Sequence, residues 1–220
     1  MANGGGAGPR WLEVGPDRIE GWLADFTARH GETAATTDAS RAVVTLTAAD
    51  GAVAECHVPF PPLGGGHGAA DIAAHAAASR TVGVLLVRLG GYAAGVFAGS
   101  PPRLVASKVG SRLVHGRSAA GGQSQQRFAR RREKQAHEAL TAAADNAAAV
   151  LAPFNGQLDA VVLGGDKRSV ADLRSDPRLR PYFALAVDRF LTVPDPRLAV
   201  LQGTPRLFRA VRIRLSEAPG

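Results

Sequence analysis

The chain has 220 residues, of which 45% are hydrophobic, and carries a formal net charge of +7. That length holds one domain or two small ones around a real buried core, and the charge points to polyanionic partners, because clustered Lys and Arg gain affinity by releasing counterions from phosphates. Cys56 is the only cysteine, which excludes an internal disulfide framework and the multi-cysteine zinc patterns.

Residues 1–9 are Gly- and Ala-rich, with no cationic or apolar region of the secretory kind, and read as a flexible N-terminus. No later stretch approaches the length needed to span a bilayer. The expectation is a cytoplasmic, monomeric protein with no membrane partner.

Pro16-Asp17 reads as a helix opening, and Ile19, Trp22, Leu23 and Phe26 follow at helical spacing, giving an amphipathic docking helix. Arg41 to Ala48 and Ala52 to Val58 are rich in strand formers and flank Asp50-Gly51, whose residues both accept positive φ, so a hairpin is expected. Pro59 to Gly68 breaks the pattern, and residues 10–80 are assigned to a small helix-plus-hairpin region. Ala69 to Ser79 reads as a helix.

Thr81 to Leu89 is a continuous apolar run of strand length, as in a central strand covered on both faces. Tyr92 to Ala98 and Leu104 to Val109 continue a meander toward the loop from His115 to Gly122. From Ser124 the sequence loses Gly and Pro and runs in helix formers to about Leu151, ahead of Pro153. Leu158 to Leu163 is a further buried strand ending at Gly164-Gly165. Ser169 to Ser175 and Arg180 to Val187 suggest short helices, and Val187 to Val193 and Arg206 to Leu215 suggest closing strands. The fold class expected is α/β (α+β), a mixed β-sheet flanked by helices, with the second domain running over residues 81–217.

The informative stretch is residues 115–135, HGRSAAGGQSQQRFARRREKQ. Its pieces HGR, GGQS and RFAR-R-EK resemble the catalytic loop and following helix in the middle domain of the eukaryotic and archaeal class I peptide chain release factor. The resemblance extends, more weakly, from about Val82 to Leu215. One departure is informative: Ser118-Ala119-Ala120 separates HGR from GGQ, and this looks like the release-factor-like family of ribosome quality control, in its short actinobacterial (VLRF-type) form. That resemblance implies a peptidyl-tRNA hydrolase acting on stalled peptidyl-tRNA on the large ribosomal subunit, where it would contact rRNA. It also allows for methylation of Gln123. Gly121, Gly122 and Gln123 would be the catalytic residues.

The residue types suit ester hydrolysis. Two glycines open backbone conformations closed to other residues and permit close approach to a substrate. Gln123 cannot ionise near neutral pH, so its useful groups are a backbone N–H for a developing oxyanion and a side-chain amide that places water. Arg117 before the tripeptide, and Arg127, Arg130, Arg131 and Lys134 after it, suit RNA phosphates, which position without reading sequence. The last four recur at three- and four-residue intervals and share one helix face, while Phe128 and Ala136 are assigned to the core side. His115 is read as a solvated loop residue. No cofactor and no metal is expected.

Other candidates are weaker. Gly164-Gly165-Asp166-Lys167 lacks the glycine spacing of a nucleotide loop and reads as a strand-ending turn. His67, Asp71 and His75 lack zincin spacing, Ser118 lacks a nucleophile elbow, and Cys56 reads as a small core residue. A nuclease on a similar sheet would need clustered carboxylates, and Asp159, Asp166 and Asp172 are isolated. The alternative kept beside the hydrolase is a non-catalytic ribosome- or tRNA-binding rescue factor, its loop inactivated by the three-residue separation.

Overall fold

The computed structural model describes residues 8–38, 40–63, 68–88, 91–111 and 124–218, the side chains of residues 124–132 excepted. In chain order the elements are β1 (Arg10–Val14), α1 (Ile19–His30), β2 (Thr33–Asp38), β3 (Val43–Ala48), β4 (Val53–His57) and α2 (Ala69–Ala77). Then come β5 (Arg80–Arg88), β6 (Gly91–Gly99), β7 (Arg103–Ser111), α3 (Ser124–Leu151), β8 (Ala160–Gly165) and α4 (Lys167–Leu173). The chain closes through α5 (Arg180–Ala184), β9 (Ala186–Leu191), α6 (Leu198–Gln202), α7 (Pro205–Phe208) and β10 (Val211–Ser216). This is a mixed α+β fold with two sheets flanked by helices. Among the described residues no helix is long and apolar enough to cross a membrane.

The chain divides into two compact units, Met1–Ala78 with Arg206–Gly220, and Ser79–Pro205. In the first, an antiparallel sheet runs in the order β1-β10-β4-β3-β2. One face is apolar: Leu12, Ile213, Cys56 and Val44 stand in register across four strands, under Ile19, Leu23 and Phe26 of α1 and Ile72 and Ala76 of α2. The hairpin expected at Asp50-Gly51 forms, but as a loop of Ala49, Asp50 and Gly51 closed by the Gly51 N–H on the Ala48 carbonyl at 3.0 Å, and Asp50 does not take the positive φ that was expected of both turn residues. Gly51 has φ +91°, and the Asp50 carboxylate accepts the Ala52 N–H at 3.0 Å.

Three local expectations are revised here. The helix opened at Pro16-Asp17 begins at Ile19, after a turn closed by the Arg18 N–H on the Gly15 carbonyl. The strand sought in Arg206 to Leu215 is preceded by the short α7, and β10 pairs with β1 and β4 in the first unit, whereas the sequence reading carried the second domain through residue 217. The short helix sought over Arg180 to Val187 stops at Ala184, where the chain turns directly into β9.

In the second unit the sheet runs β7-β6-β5-β8-β9, with an antiparallel β5-β6-β7 meander and parallel β5-β8-β9 pairings. A parallel pair needs a crossover, and α3 supplies one between β7 and β8. Val82 and Val84 to Val87 of β5 are all buried, as expected of a strand covered on both faces. One face packs Leu85, Val87, Ala94, Val96, Val161 and Leu163 against α3 and α4. On β6, Gly95 makes room for a neighbour: a Cβ there would stand 2.9 Å from a Leu201 methyl of α6 and 3.0 Å from one of Leu104.

Candidate functional site

The loop residues singled out by sequence, Arg117, Gly121, Gly122 and Gln123, lie outside the described residues, as does His115. The frame on either side of them is described. β7 ends at Ser111, and α3 begins at Ser124, so the tripeptide abuts the N-terminus of a helix of 28 residues, about 42 Å long at 1.5 Å per residue. Arg127, Arg130, Arg131 and Lys134 all fall within this helix, and Lys134 is exposed.

Helical phase relates these positions to the core. The buried residues of α3 are Ala139, Ala143, Ala144, Ala147, Val150 and Leu151. At 3.6 residues per turn, the positions of Arg127, Arg130, Arg131 and Lys134 cluster on an arc nearly opposite that stripe. The stripe is mostly alanine, which lets the helix axis approach the sheet closely. Ala136 is half-buried and lies beside the cleft described below, whereas Phe128 is outside the described side chains.

Side-chain bonds fix the helix on the strands that lead to the loop. Asn146 of α3 donates through its amide to the Tyr92 hydroxyl of β6 and to the Ala142 carbonyl, each at 2.6 Å. Tyr92 pairs in register with Gly110 of β7, and a Cβ at Gly110 would collide with the Tyr92 ring and hydroxyl. On the outer side Arg178 reaches Asp145 of α3 at 2.9 Å and Asp176 at 2.7 Å. The Arg178 hydrogen bond holds the Asp176 carboxyl below its ordinary range. Sequence reasoning passed over Tyr92, Gly110 and Asn146. An asparagine amid alanines in a helix interior was the available signal, since Asn is a poor helix former without a partner.

A cleft of about 320 Å³ opens beside α3 at the carboxyl ends of β5 and β8, lined by Val87, Ala139, Leu140 and Ala143 below and by Arg88, Asp166, Arg168 and Asp172 at the rim. Two of its charged groups have structural duties. Asp166 accepts the Arg168 N–H at 2.8 Å and caps α4, and Arg88 donates to the Val193 carbonyl at 2.8 Å.

Asp166 and Asp172 share the rim of this cleft, but the third carboxylate, Asp159, does not join them. Asp159 accepts the Thr81 N–H at 2.7 Å before the start of β8, and Asp166 follows its end, about 20 Å away along a strand at 3.3 Å per residue. The nuclease reading therefore lacks its cluster. Among the described residues no group of three or more His, Cys, Asp or Glu could hold a metal ion. Cys56 is fully buried, and burial pushes its thiol up to about 12.

A sequence model of the actinobacteria/chloroflexi VLRF1 release factor matches residues 80–214, well over half of the chain. The chain belongs to the VLRF1 release factor family. The match covers nearly all of the second unit and continues through α7 into β10 of the first, as far as Arg214.

Two solved structures are similar to this VLRF1 family member. The archaeal translation termination factor aRF1 is 13% identical, with 74% of this chain and 51% of that one covered and a TM-score of 0.43. A second structure, described as an archaeal protein, is 14% identical, with 71% and 47% covered and a TM-score of 0.40. The chain thus spans about half the length of these structures, and likeness at this level carries no residue-level argument. No curated protein matches the chain.

Proposed function

We propose that this VLRF1 family member is a peptidyl-tRNA hydrolase that releases nascent peptides from tRNA on stalled large ribosomal subunits. The observation that carries the reading is the position of Gly121-Gly122-Gln123 inside the family-matched region, immediately before a long helix whose first turns carry Arg127, Arg130 and Arg131.

In the proposed reaction water attacks the carbonyl carbon of the ester joining peptide to the terminal adenosine. The bond to the 3′-oxygen breaks, a proton passes to that oxygen, and the products are a peptide acid and tRNA with a free 3′-hydroxyl. Gly121 and Gly122 let the backbone approach the ester closely. Gln123 offers its backbone N–H to the developing negative charge and its side-chain amide to the attacking water. No ionisable residue of the chain is assigned as acid or base, so most of the acceleration comes from positioning, with the tRNA 2′-hydroxyl and the ribosome completing the site.

Arg117, Arg127, Arg130, Arg131 and Lys134 are the proposed RNA contacts. The α3 positions face away from the buried stripe of their helix, which supports an outward-facing anchor on rRNA or tRNA phosphates. The reading is tested by single-turnover release of a labelled peptide from peptidyl-tRNA on isolated large subunits. Release by the wild type that Gln123→Ala loses, with subunit binding retained, supports it. Binding without release by the wild type would instead favour a non-catalytic rescue factor.

A further inference from the structure

The family match spans residues 80–214 and takes in only residues 206–214 of the first unit, and the proposed activity gives that unit no role, Arg212 and Arg214 of β10 included. Its sheet carries α1 and α2 on one face, and strand alternation assigns the other face a different set of residues. Trp11 pairs in register with Arg214, and Arg214 with Glu55; Glu13 pairs with Arg212, and Arg212 with His57. All six stand opposite the core-facing Leu12, Ile213 and Cys56.

On this face Trp11 lies across β10. Its ring centroid is 5.2 Å from that of His57 on β4, at an interplanar angle of 51°, and the Arg212 guanidinium carbon lies 4.9 Å from the indole centroid. Trp11 is still 51% exposed. A large aromatic held among charged strands with half its surface in water is a platform on which a planar group can stack.

We propose that this open face binds single-stranded RNA, with an unpaired base stacked on Trp11 and the adjoining phosphates on Arg212 and Arg214. Charge chemistry favours that occupant. Arg212 faces Glu13 at 3.9 Å in an exposed pair, weak and readily exchanged for phosphate, and Arg214 faces Glu55 at 3.3 Å in a half-buried one. Thr47 and Thr36, on the same face of β3 and β2 and exposed, add hydroxyls for the sugar-phosphate chain. A protein partner fits less well, because interface cores are depleted of charge, whereas two arginines and two glutamates surround Trp11 on this face. Duplex RNA fits poorly too, since its bases are already stacked and only splayed bases meet an aromatic side chain.

The inference extends beyond peptide release and does not depend on it, because naked RNA suffices for the test. The chain has two tryptophans, so a full-length Trp22→Phe variant makes Trp11 the sole indole reporter. Oligoadenylate should quench its emission saturably, with an affinity that falls as salt rises. A duplex of equal length should quench far less. Arg212→Ala and Arg214→Ala should each weaken the quench-reported affinity several-fold and reduce the salt slope by about one, with circular dichroism unchanged. Unaltered Trp11 emission, while labelled oligoadenylate still binds the protein by anisotropy, would place RNA elsewhere and overturn the proposal. Equal quenching by duplex would overturn the single-strand assignment.

Discussion

The Asn146 amide on α3 donates to the Tyr92 hydroxyl on β6 at 2.6 Å, while Tyr92 lies against the one residue of β7 without a side chain to obstruct it, Gly110. One contact thus ties together β7, which precedes residues 112–123, its neighbour β6, and α3, which follows them. Losing half of the bond strands a half-buried polar group, so Asn146→Ala or Tyr92→Phe should lower stability by about 1 kcal/mol in urea unfolding. Gly110→Ala should cost about 1–3 kcal/mol by overpacking. The double variant Gly110→Ala/Tyr92→Ala should cost less than the sum of its parts; additive losses would show that the two residues do not share a contact.

Gly165 and Gly156 both have positive φ, +100° and +77°, yet their surroundings differ. A Cβ at Gly165 would run into the Val87 carbonyl, whereas at Gly156 nothing lies within 4 Å. Gly165→Ala should therefore be the more damaging, by roughly 1–3 kcal/mol for backbone strain with the clash added. Equal melting temperatures for the two variants would contradict the close packing of β8 against β5.

Cys56 should resist thiol reagents in the folded protein and react once urea unfolds it. Its folded value, raised from 9.0 to about 12 by burial, has a defined consequence for stability. The stabilisation is fully present below the unfolded value and is lost as pH rises from about 9 to about 12, because only the unfolded chain releases the proton there. The slope is about 1.4 kcal/mol per pH unit, and Cys56→Ala should flatten it. Fast labelling of the native protein would refute the burial.

Ribosome association should weaken steeply with salt if the α3 cations neutralise phosphates, and Lys134→Ala should reduce the slope of log affinity against log salt by about one. A slope unchanged by Lys134→Ala would remove that residue from the anchor.

What was legible in the sequence follows from how local each determinant is. Asp50-Gly51 marks a hairpin locally, Gly51 supplying its positive φ, the apolar run at Thr81 to Leu89 marks a central strand, and the stretch from Ser124 to Leu151 holds no Gly or Pro to stop a helix. β2, TAATTD, escaped because it is a polar edge strand, exposed or half-exposed along its length. β1 is an edge strand as well, and only long-range pairing with β10 defines it. The same non-local pairing draws residues 211–216 into the first unit, although they follow the second along the chain. At the candidate site, the basic helix and the glycines were readable as a motif. Tyr92, Gly110 and Asn146 are separated in sequence and become a unit only through strand register and helix packing.

The central claim meets its most direct test in single-turnover peptide release from peptidyl-tRNA on isolated large subunits, with wild type beside Gly122→Ala and Gln123→Ala. The account predicts rapid release by the wild type and loss of release by both variants, with their subunit binding intact. Wild-type-like release by Gln123→Ala, or no release by a wild type that binds, would contradict it.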